Sequence, residues 1–482
     1  IAVDALVGAG KLVEDGVANV QACYLARLYE AETAVCARIL RMCEGDADQG
    51  RNVERIVDEI QAEQELVYAP EQRMAVSQAA RSGVFLLTGG PGTGKTTCVR
   101  GIVAVLERMG YEIALTAPTG RAAKRLGEAC GREAQTIHRM LGMSYNEELG
   151  EVTFSKNEKE PLQVDAVIVD EMSMVDLPLM QALLAALRPG CRLVMVGDAD
   201  QLPSVGPGNV FSDLIRSKRI PVVLLTEIFR QARQSAIVRN AHAINGGAVP
   251  NLASNQGDFF FLRRRSEDAV LSTIVELCQT RLPKNMGIEA GQIQVLSPTR
   301  KGAAGTFALN RALQEALNPA RPGKREKAFG NTVFREGDRV MQIKNDYDIL
   351  WQKAGGAVGT GVFNGDVGTV TEIDPSGELL TVLFDDRTAS YTAEMLGELE
   401  LAYAVTVHKA QGSEYRAVII SAAPCAPTLM VRNVLYTAIT RARELLILVG
   451  DDRVICQMAA TDRRSRRYSG LKFRLKEGGA AL

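Results

Sequence analysis

The residues best suited to chemistry are Gly89-Gly90-Pro91-Gly92-Thr93-Gly94-Lys95-Thr96, a glycine-rich run that closes on Lys-Thr. Glycines let successive backbone N–H groups converge on phosphate oxygens, and the N-terminus of a following helix adds positive potential. Lys95 offers a point charge to β- and γ-phosphates, and the Thr96 hydroxyl suits Mg²⁺. The run reads as a phosphate-binding loop, with Gly90, Gly92, Thr93, Gly94, Lys95, Thr96 and Thr97 around the phosphates of ATP or GTP. An acidic pair, Asp170-Glu171, ends the apolar run Val164–Val169. Asp170 can join Thr96 in the Mg²⁺ shell, and Glu171 can polarise an attacking water. Phosphoryl transfer spreads negative charge, which a positioned arginine stabilises by roughly 10³- to 10⁵-fold in rate. Arg230, in Leu225-Thr226-Glu227-Ile228-Phe229-Arg230-Gln231, and Arg441, in Tyr436–Arg443, are the candidates.

Such groups must be held at the ends of rigid elements. Short apolar runs at Val84–Thr88, Ile113–Thr116, Ala166–Asp170, Leu193–Gly197 and Val222–Leu225 each end in or beside a turn-type residue. They read as buried parallel strands alternating with helices. Ile293–Leu296, Ala417–Ser421 and Leu445–Val449 form a second set, so the sequence predicts two α/β domains. Two stretches break the rhythm. Tyr145–Pro161 reads as a β-hairpin excursion. Residues 331–399 read as a small antiparallel barrel, with strands at Arg339–Ile343, Gly368–Ile373, Leu379–Phe384 and Ala389–Thr392 and turn signals between them. Residues 1–65 read as helical, with apolar residues at helical spacing through Val20–Ile39.

The 482 residues allow about three domains at roughly 150 residues each. Lys plus Arg is 56 and Asp plus Glu 57, a balance that argues against a nucleic-acid coat protein but permits a local positive track. Nine cysteines without a C-x-x-C pair fit a reducing cytosol better than a disulfide framework or zinc site. No run of about 18 apolar residues appears, and the expectation is a soluble, cytoplasmic protein with no membrane contact. The chain opens at Ile1 rather than Met, and is expected to be a fragment of a longer polypeptide.

The ordered motifs resemble the superfamily 1 helicases, and within them the class B group of RecD-like and TraA-like proteins (exodeoxyribonuclease V α-subunit-like), over roughly residues 66–450. Ala69-Pro70-Glu71-Gln72 looks like the upstream Gln motif, which implies that Gln72 contacts adenine. Thr116–Ala123 looks like motif Ia and Thr136-Ile137-His138-Arg139 like motif Ib. Val196–Pro203 is similar to motif III, where Gln201 would sense the γ-phosphate. The Arg230 segment resembles motif IV, Val407–Glu414 motif V, and the Arg441 segment motif VI. Leu296–Gly302 looks like the RecD-type strand-binding segment. The resemblance thus implies ATP contacts at Gln72 and Glu414, and DNA contacts at Pro118, Thr119, Arg121, His138, Thr299, Arg300, Thr406 and His408. It also implies an α/β fold of two RecA-like P-loop motor domains. Domain 1A would span 66–245, with a hairpin 1B at about 144–163 acting as a separation pin. Domain 2A would span 246–330 and 400–482, and an SH3-like barrel 2B would span 331–399. Val362-Phe363-Asn364-Gly365-Asp366 looks like the barrel's signature turn, although a long Gly-rich stretch, Trp351–Gly361, precedes it.

The expected function is an ATP-dependent DNA helicase or translocase using ATP and Mg²⁺. It would be a monomer acting on single strands and ss/ds junctions, with repair proteins as possible partners, and family analogy implies 5′-to-3′ travel. An RNA-directed helicase of the same class and a non-translocating, ATP-switched binding module are the alternatives. The basic stretch Arg463–Lys476 reads as a solvated helix face, with an extension of the positive track as the alternative.

Overall fold

Apolar runs long enough for one strand and flanked by helices can be buried on both faces only as a parallel sheet. The computed structural model, which describes residues 2–44, 52–146, 151–253, 257–462 and 467–478, contains two such sheets. The chain divides into two units: residues 1–232 with 465–482, and residues 233–464.

The first unit begins with the antiparallel pair β1 (Leu12–Val17) and β2 (Val20–Leu25). This corrects the expectation that residues 1–65 are all helical. Helices follow at Ala26–Glu44 and Val53–Glu63. The sheet is then built from β3 (Val84–Gly89), β4 (Ile113–Ala117) and β5 (Ala134–Thr136). The excursion β6 (Met143–Asn146) and β7 (Glu151–Phe154) pairs as a hairpin; its tip, 147–150, lies outside the described residues. β8 (Ala166–Val169), β9 (Arg192–Gly197) and β10 (Val222–Leu225) complete the sheet. The order is β10-β3-β9-β8-β4-β5, parallel throughout. All six residues of β3 are buried, between one apolar cluster around Leu86, Met195 and Leu184 and another around Phe85, Ile102 and Val194.

The second unit opens its sheet with β11 (Phe259–Arg263) and β12 (Ile293–Ser297). A hairpin follows, β13 (Glu326–Phe329) with β14 (Thr332–Arg335). The barrel strands are β15 (Arg339–Gln342), β16 (Asp346–Lys353), β17 (Val358–Val362), β18 (Val367–Ile373), β19 (Leu379–Phe384), β20 (Arg387–Thr392) and β21 (Leu399–Leu401). They run in the antiparallel order β17-β16-β20-β19-β18-β15-β21 around their own core, which includes Val340, Val382, Phe384 and Tyr391. The chain returns through β22 (Ala404–Thr406), β23 (Tyr415–Ala422) and β24 (Ala442–Gly450) to give the parallel order β11-β24-β23-β12-β22.

Two further differences from expectation have physical causes. The Gly-rich stretch 351–361 continues the barrel as the β16–β17 hairpin. Trp351 covers Gly359, where an added Cβ would lie 2.4 Å from the ring, and donates from Nε1 to the Thr360 carbonyl at 3.0 Å. The C-terminal helix Leu471–Glu477 packs in the first unit, against helices Ala26–Glu44 and Val210–Ser217, rather than in the second. Its anchor is Arg474, which donates to Glu32 at 2.9 Å and to Asp15 at 2.6 Å and lies over the Tyr29 ring. So Arg474 of the expected basic face is turned inward while Lys476 stays exposed; residues 463–466 of that stretch lie outside the described residues.

Candidate nucleotide and strand sites

Parallel strands deliver their following turns to one edge of the sheet, where ligand sites form in this class of fold. β3 runs into the glycine-rich loop, and helix Lys95–Arg108 begins directly after it. Gly92 and Gly94 are left-handed, at φ 73° and 84°. A side chain at Gly94 would also collide with Gln72 Nε2, 2.2 Å from an ideal Cβ. Thr93 is buried and its Oγ1 donates to Gly90 O at 2.8 Å. Lys95 Nζ lies within the loop, donating to the carbonyls of Gly89 at 2.6 Å and Gly90 at 3.0 Å. Thr96 is exposed and Thr97 half-buried on the first turn of the helix.

Gln72 is buried beneath this loop. Its Oε1 accepts from the Ala69 backbone N–H at 3.1 Å and so caps helix Pro70–Arg81, while its amide nitrogen faces Gly94. The neighbouring Glu71 accepts from Thr226 N and Oγ1 at 2.7 and 2.6 Å, which holds its carboxyl below the usual range. The Gln-motif and motif-IV-like segments are thereby tied together, and Phe229 N–H reaches Gly92 O at 3.3 Å. Arg230 starts helix Arg230–Gln234; its side chain lies outside the described residues.

β8 ends at Asp170-Glu171, the second of which is left-handed at φ 53°. This turn lets Glu171 N–H donate to Asp170 Oδ1 at 2.8 Å. Arg125 Nη2 donates to Glu171 Oε1 at 2.6 Å and lies 3.9 Å from Asp170. Burial raises the Asp170 carboxyl, the adjacent Glu171 carboxylate raises it further, and the charges of Arg125 and Lys95 oppose them. Arg125 was not among the sequence candidates. Its signal is its place four residues after Arg121, on the same side of helix Gly120–Cys130. At the end of β9, Asp198 is buried, and its carboxylate accepts from Asp200 N at 3.0 Å and Gln201 Nε2 at 3.4 Å. Thr88 Oγ1 accepts from Ala199 N at 3.3 Å, which ties this turn to the strand that feeds the loop.

The strand-binding candidates also stand at strand ends. In the turn after β4, Pro118 precedes Thr119, whose hydroxyl caps helix Gly120–Cys130 by accepting from Ala122 N at 3.3 Å; Arg121 lies on the first turn of that helix. His138 is half-buried on helix Ile137–Met140, next to Phe154 of the hairpin, and burial lowers its pKa. In the second unit, Thr299 Oγ1 accepts from Lys301 N at 3.3 Å after β12. Arg300 donates to Glu400 at 2.6 and 2.9 Å. Thr406 ends β22 and its Oγ1 accepts from Lys409 N at 3.4 Å, while burial lowers the His408 pKa.

Arg441 differs most from its expectation as a cation reaching outward. It is 2% exposed. Its guanidinium donates within its own unit to Thr437 O at 3.1 Å, Ser413 O at 3.2 Å and Thr440 Oγ1 at 3.1 Å. It therefore clamps the motif-V-like loop, in which Glu414 is exposed. Among the described residues no cluster of three or more His, Cys, Asp or Glu could hold a metal ion.

A P-loop on a parallel sheet, joined in one chain to a second parallel sheet interrupted by an antiparallel barrel, defines a RecA-like P-loop protein with an SH3-like insertion. Three family models match: an AAA domain over residues 67–259, an ATP-dependent RecD-like DNA helicase SH3 domain over 309–384, and a UvrD-like helicase C-terminal domain over 401–449. The chain is 31% identical over 497 residues to the RecBCD enzyme subunit RecD of Mycobacterium tuberculosis, covering 95% of this chain and 80% of that protein. It is 37% identical over 406 residues to the ATP-dependent RecD2 DNA helicase of Deinococcus radiodurans, covering 84% of this chain and 52% of that protein. The chain thus spans about half the length of the RecD2 relative. A solved structure of Bacteroides Pif1 bound to ssDNA is similar at 20% identity and TM-score 0.47, over 81% of this chain and 94% of that one. The chain belongs to the RecD family of helicases.

Proposed function

We propose that this chain is the motor part of an ATP-dependent DNA helicase. It would couple ATP hydrolysis to 5′-to-3′ movement on single-stranded DNA, and to duplex unwinding in recombination or repair. The observation that carries this reading is the set of groups at the ends of β3, β8 and β9: Lys95, the Asp170–Glu171–Arg125 cluster and Gln201. Lys95 leaves its two loop carbonyls for the phosphates of ATP. Glu171, steered by Arg125, orients the attacking water and takes its proton. The Thr96 hydroxyl and the Asp170 carboxylate are hard oxygen donors of the kind Mg²⁺ prefers, and the ion when bound neutralises phosphate charge.

In this reading motor domain 1A runs from 66 to about 232 rather than 245, because helix Ala236–Asn245 packs against helix Arg432–Ile439 in the second unit, and the β6–β7 hairpin is the separation pin. Domain 2A then spans 233–330 and the return from 400, and the barrel 2B spans 331–399. The turns bearing Thr119, Arg121, Thr299, Arg300 and Thr406 meet phosphate and sugar, since a motor must pass any sequence. The partners are single strands, ss/ds junctions and repair proteins, and the protein acts as a cytoplasmic monomer. No helix among the described residues is long and apolar enough to cross a membrane.

Lys95→Ala is expected to abolish DNA-stimulated ATP hydrolysis while leaving the far-UV circular dichroism unchanged; substantial residual turnover would refute the site. Duplexes with 5′ or 3′ single-stranded tails test direction, and RNA tails test the choice of polymer. Strand displacement from the 3′-tailed duplex alone would reverse the proposed direction.

A further inference from the structure

In the second unit a groove of about 610 Å³ lies between helix Thr306–Leu317, the β13–β14 hairpin and the ends of β21 and β22. Arg300, Phe307, Glu400 and Lys409 stand along it. Glu400 receives two cations at once. Arg300 Nη2 donates to its oxygens at 2.6 and 2.9 Å, and Lys409 Nζ to Oε2 at 2.7 Å. The Arg300 guanidinium lies over the Phe307 ring, 5.6 Å from its centroid, yet Phe307 remains 54% exposed. Glu400 itself is fixed by the barrel, because β21 pairs with β15 through Met341↔Glu400.

A carboxylate bridging a guanidinium and an ammonium occupies the position of a phosphodiester, with like charge and like acceptor spacing. A large apolar ring left exposed beside a cationic pair is the recurring partner of an unstacked base. We propose that this groove is a one-nucleotide subsite for single-stranded nucleic acid, in which a backbone phosphate displaces Glu400 from Arg300 and Lys409 and the adjoining base lies against Phe307. The inference rests on the reading of Arg300 as a strand contact and adds the competitor and the base platform. Glu400 makes the subsite selective: an isolated anion must break two ion pairs alone, whereas a strand held at neighbouring positions does so at high local concentration.

The test is anisotropy of a labelled oligothymidylate with the full chain, titrated over a range of salt. Releasing two partly exposed ion pairs is worth about three- to tenfold in affinity. Glu400→Gln is therefore expected to tighten binding by about that factor, and to steepen log K against log salt by about 0.7, one single-strand phosphate's worth of counterions. Phe307→Ala is expected to weaken binding to oligothymidylate and to leave binding to an abasic oligonucleotide nearly unchanged. Unchanged or weaker binding by Glu400→Gln overturns the displacement, and equal losses on both oligonucleotides overturn the base contact. Glu400→Ala, with a melting curve for each variant, separates these outcomes from misfolding. Arg300→Ala separates the strand contact from the competitor role. If it leaves affinity intact, the strand-contact reading itself fails. If it weakens binding while Glu400→Gln does not tighten it, only the competitor role fails.

Discussion

Asp213 gives a prediction whose size and sign both come from its surroundings. It lies on helix Val210–Ser217, is 9% exposed, and its Oδ2 has no hydrogen-bond partner among the described residues. Burial pushes its carboxyl up to about 6, Glu32 adds to the effect, and the Ser469 hydroxyl with Arg216 and Lys472 works against it. The ordinary value is 3.8, so folding opposes ionisation by about 2 pH units, an upper figure of roughly 3 kcal/mol. Below pH 4 the carboxyl is neutral in both folded and unfolded chains, and the cost is absent. Between about 4 and 6 the unfolded chain releases its proton first, so stability falls as pH rises. Above 6 the full cost is present.

Asp213→Asn should remove that cost. At pH 7.5 the variant should unfold at higher temperature, by roughly 2–4 °C for each kcal/mol recovered in a unit of this size. The gain should shrink as pH drops through 6 and vanish near 4. Thermal melts of wild type and variant from pH 4 to 8, followed by circular dichroism, measure it. ATP turnover should stay unchanged, because the groups around Asp213 are Ser469, Glu32, Arg216 and Lys472, none of them in the nucleotide site. Equal melting at pH 7.5, or a gain that persists at pH 4, would refute the claim that Asp213 is a buried, ionised liability.

Three other perturbations follow from named contacts. Arg474→Leu strips the counter-charge from Glu32, which is 2% exposed; it should cost about 3–5 kcal/mol in chemical denaturation, and a second change, Glu32→Leu, should recover most of it. Arg441→Ala removes the donor to Ser413 O and Thr437 O; it should destabilise the second unit by about 1–3 kcal/mol and lose most turnover while fluorescent ATP analogues still bind, and full turnover would deny Arg441 a role. Gly94→Ala sets a Cβ 2.2 Å from Gln72 Nε2 at a left-handed φ of 84°; nucleotide affinity should fall at least tenfold, and binding equal to wild type would contradict the loop geometry.

The strands were legible where burial on both faces demanded continuous apolar runs, as at Val84–Thr88 and Leu193–Gly197, and the chemistry was legible where it follows such a run. The N-terminal hairpin was not. Its turn is Ala18-Asn19, both left-handed at φ 53° and 61°, a two-residue turn that Asn-Gly would have announced and Ala-Asn does not. Its second strand, Val20–Leu25, runs straight into a true helix at Ala26, so the apolar spacing appeared to be one period. The positioning groups were hidden for another reason. Arg125, Glu71 and Glu400 take their meaning from partners 46, 155 and 100 residues away, and no local pattern encodes such pairings.

The three threonines expected to grip a strand share one property. Thr119, Thr299 and Thr406 each use the hydroxyl oxygen to accept from a backbone N–H two or three residues on, and so shape the turn that displays them. Arg300 and Lys409 differ in that their donors are themselves engaged, by Glu400. A contact made by exchanging one hydrogen bond for another returns little net free energy, about 0.5–1.5 kcal/mol, whereas leaving a group bare costs more. A fixed binder would gain from idle donors waiting for their ligand. A chain that must hold a strand and then release it every cycle gains from donors that already have somewhere to return. The engaged state of Arg300 and Lys409 is therefore consistent with the proposed motor, and it sets the expectation that their single-alanine variants weaken strand affinity modestly and by similar factors.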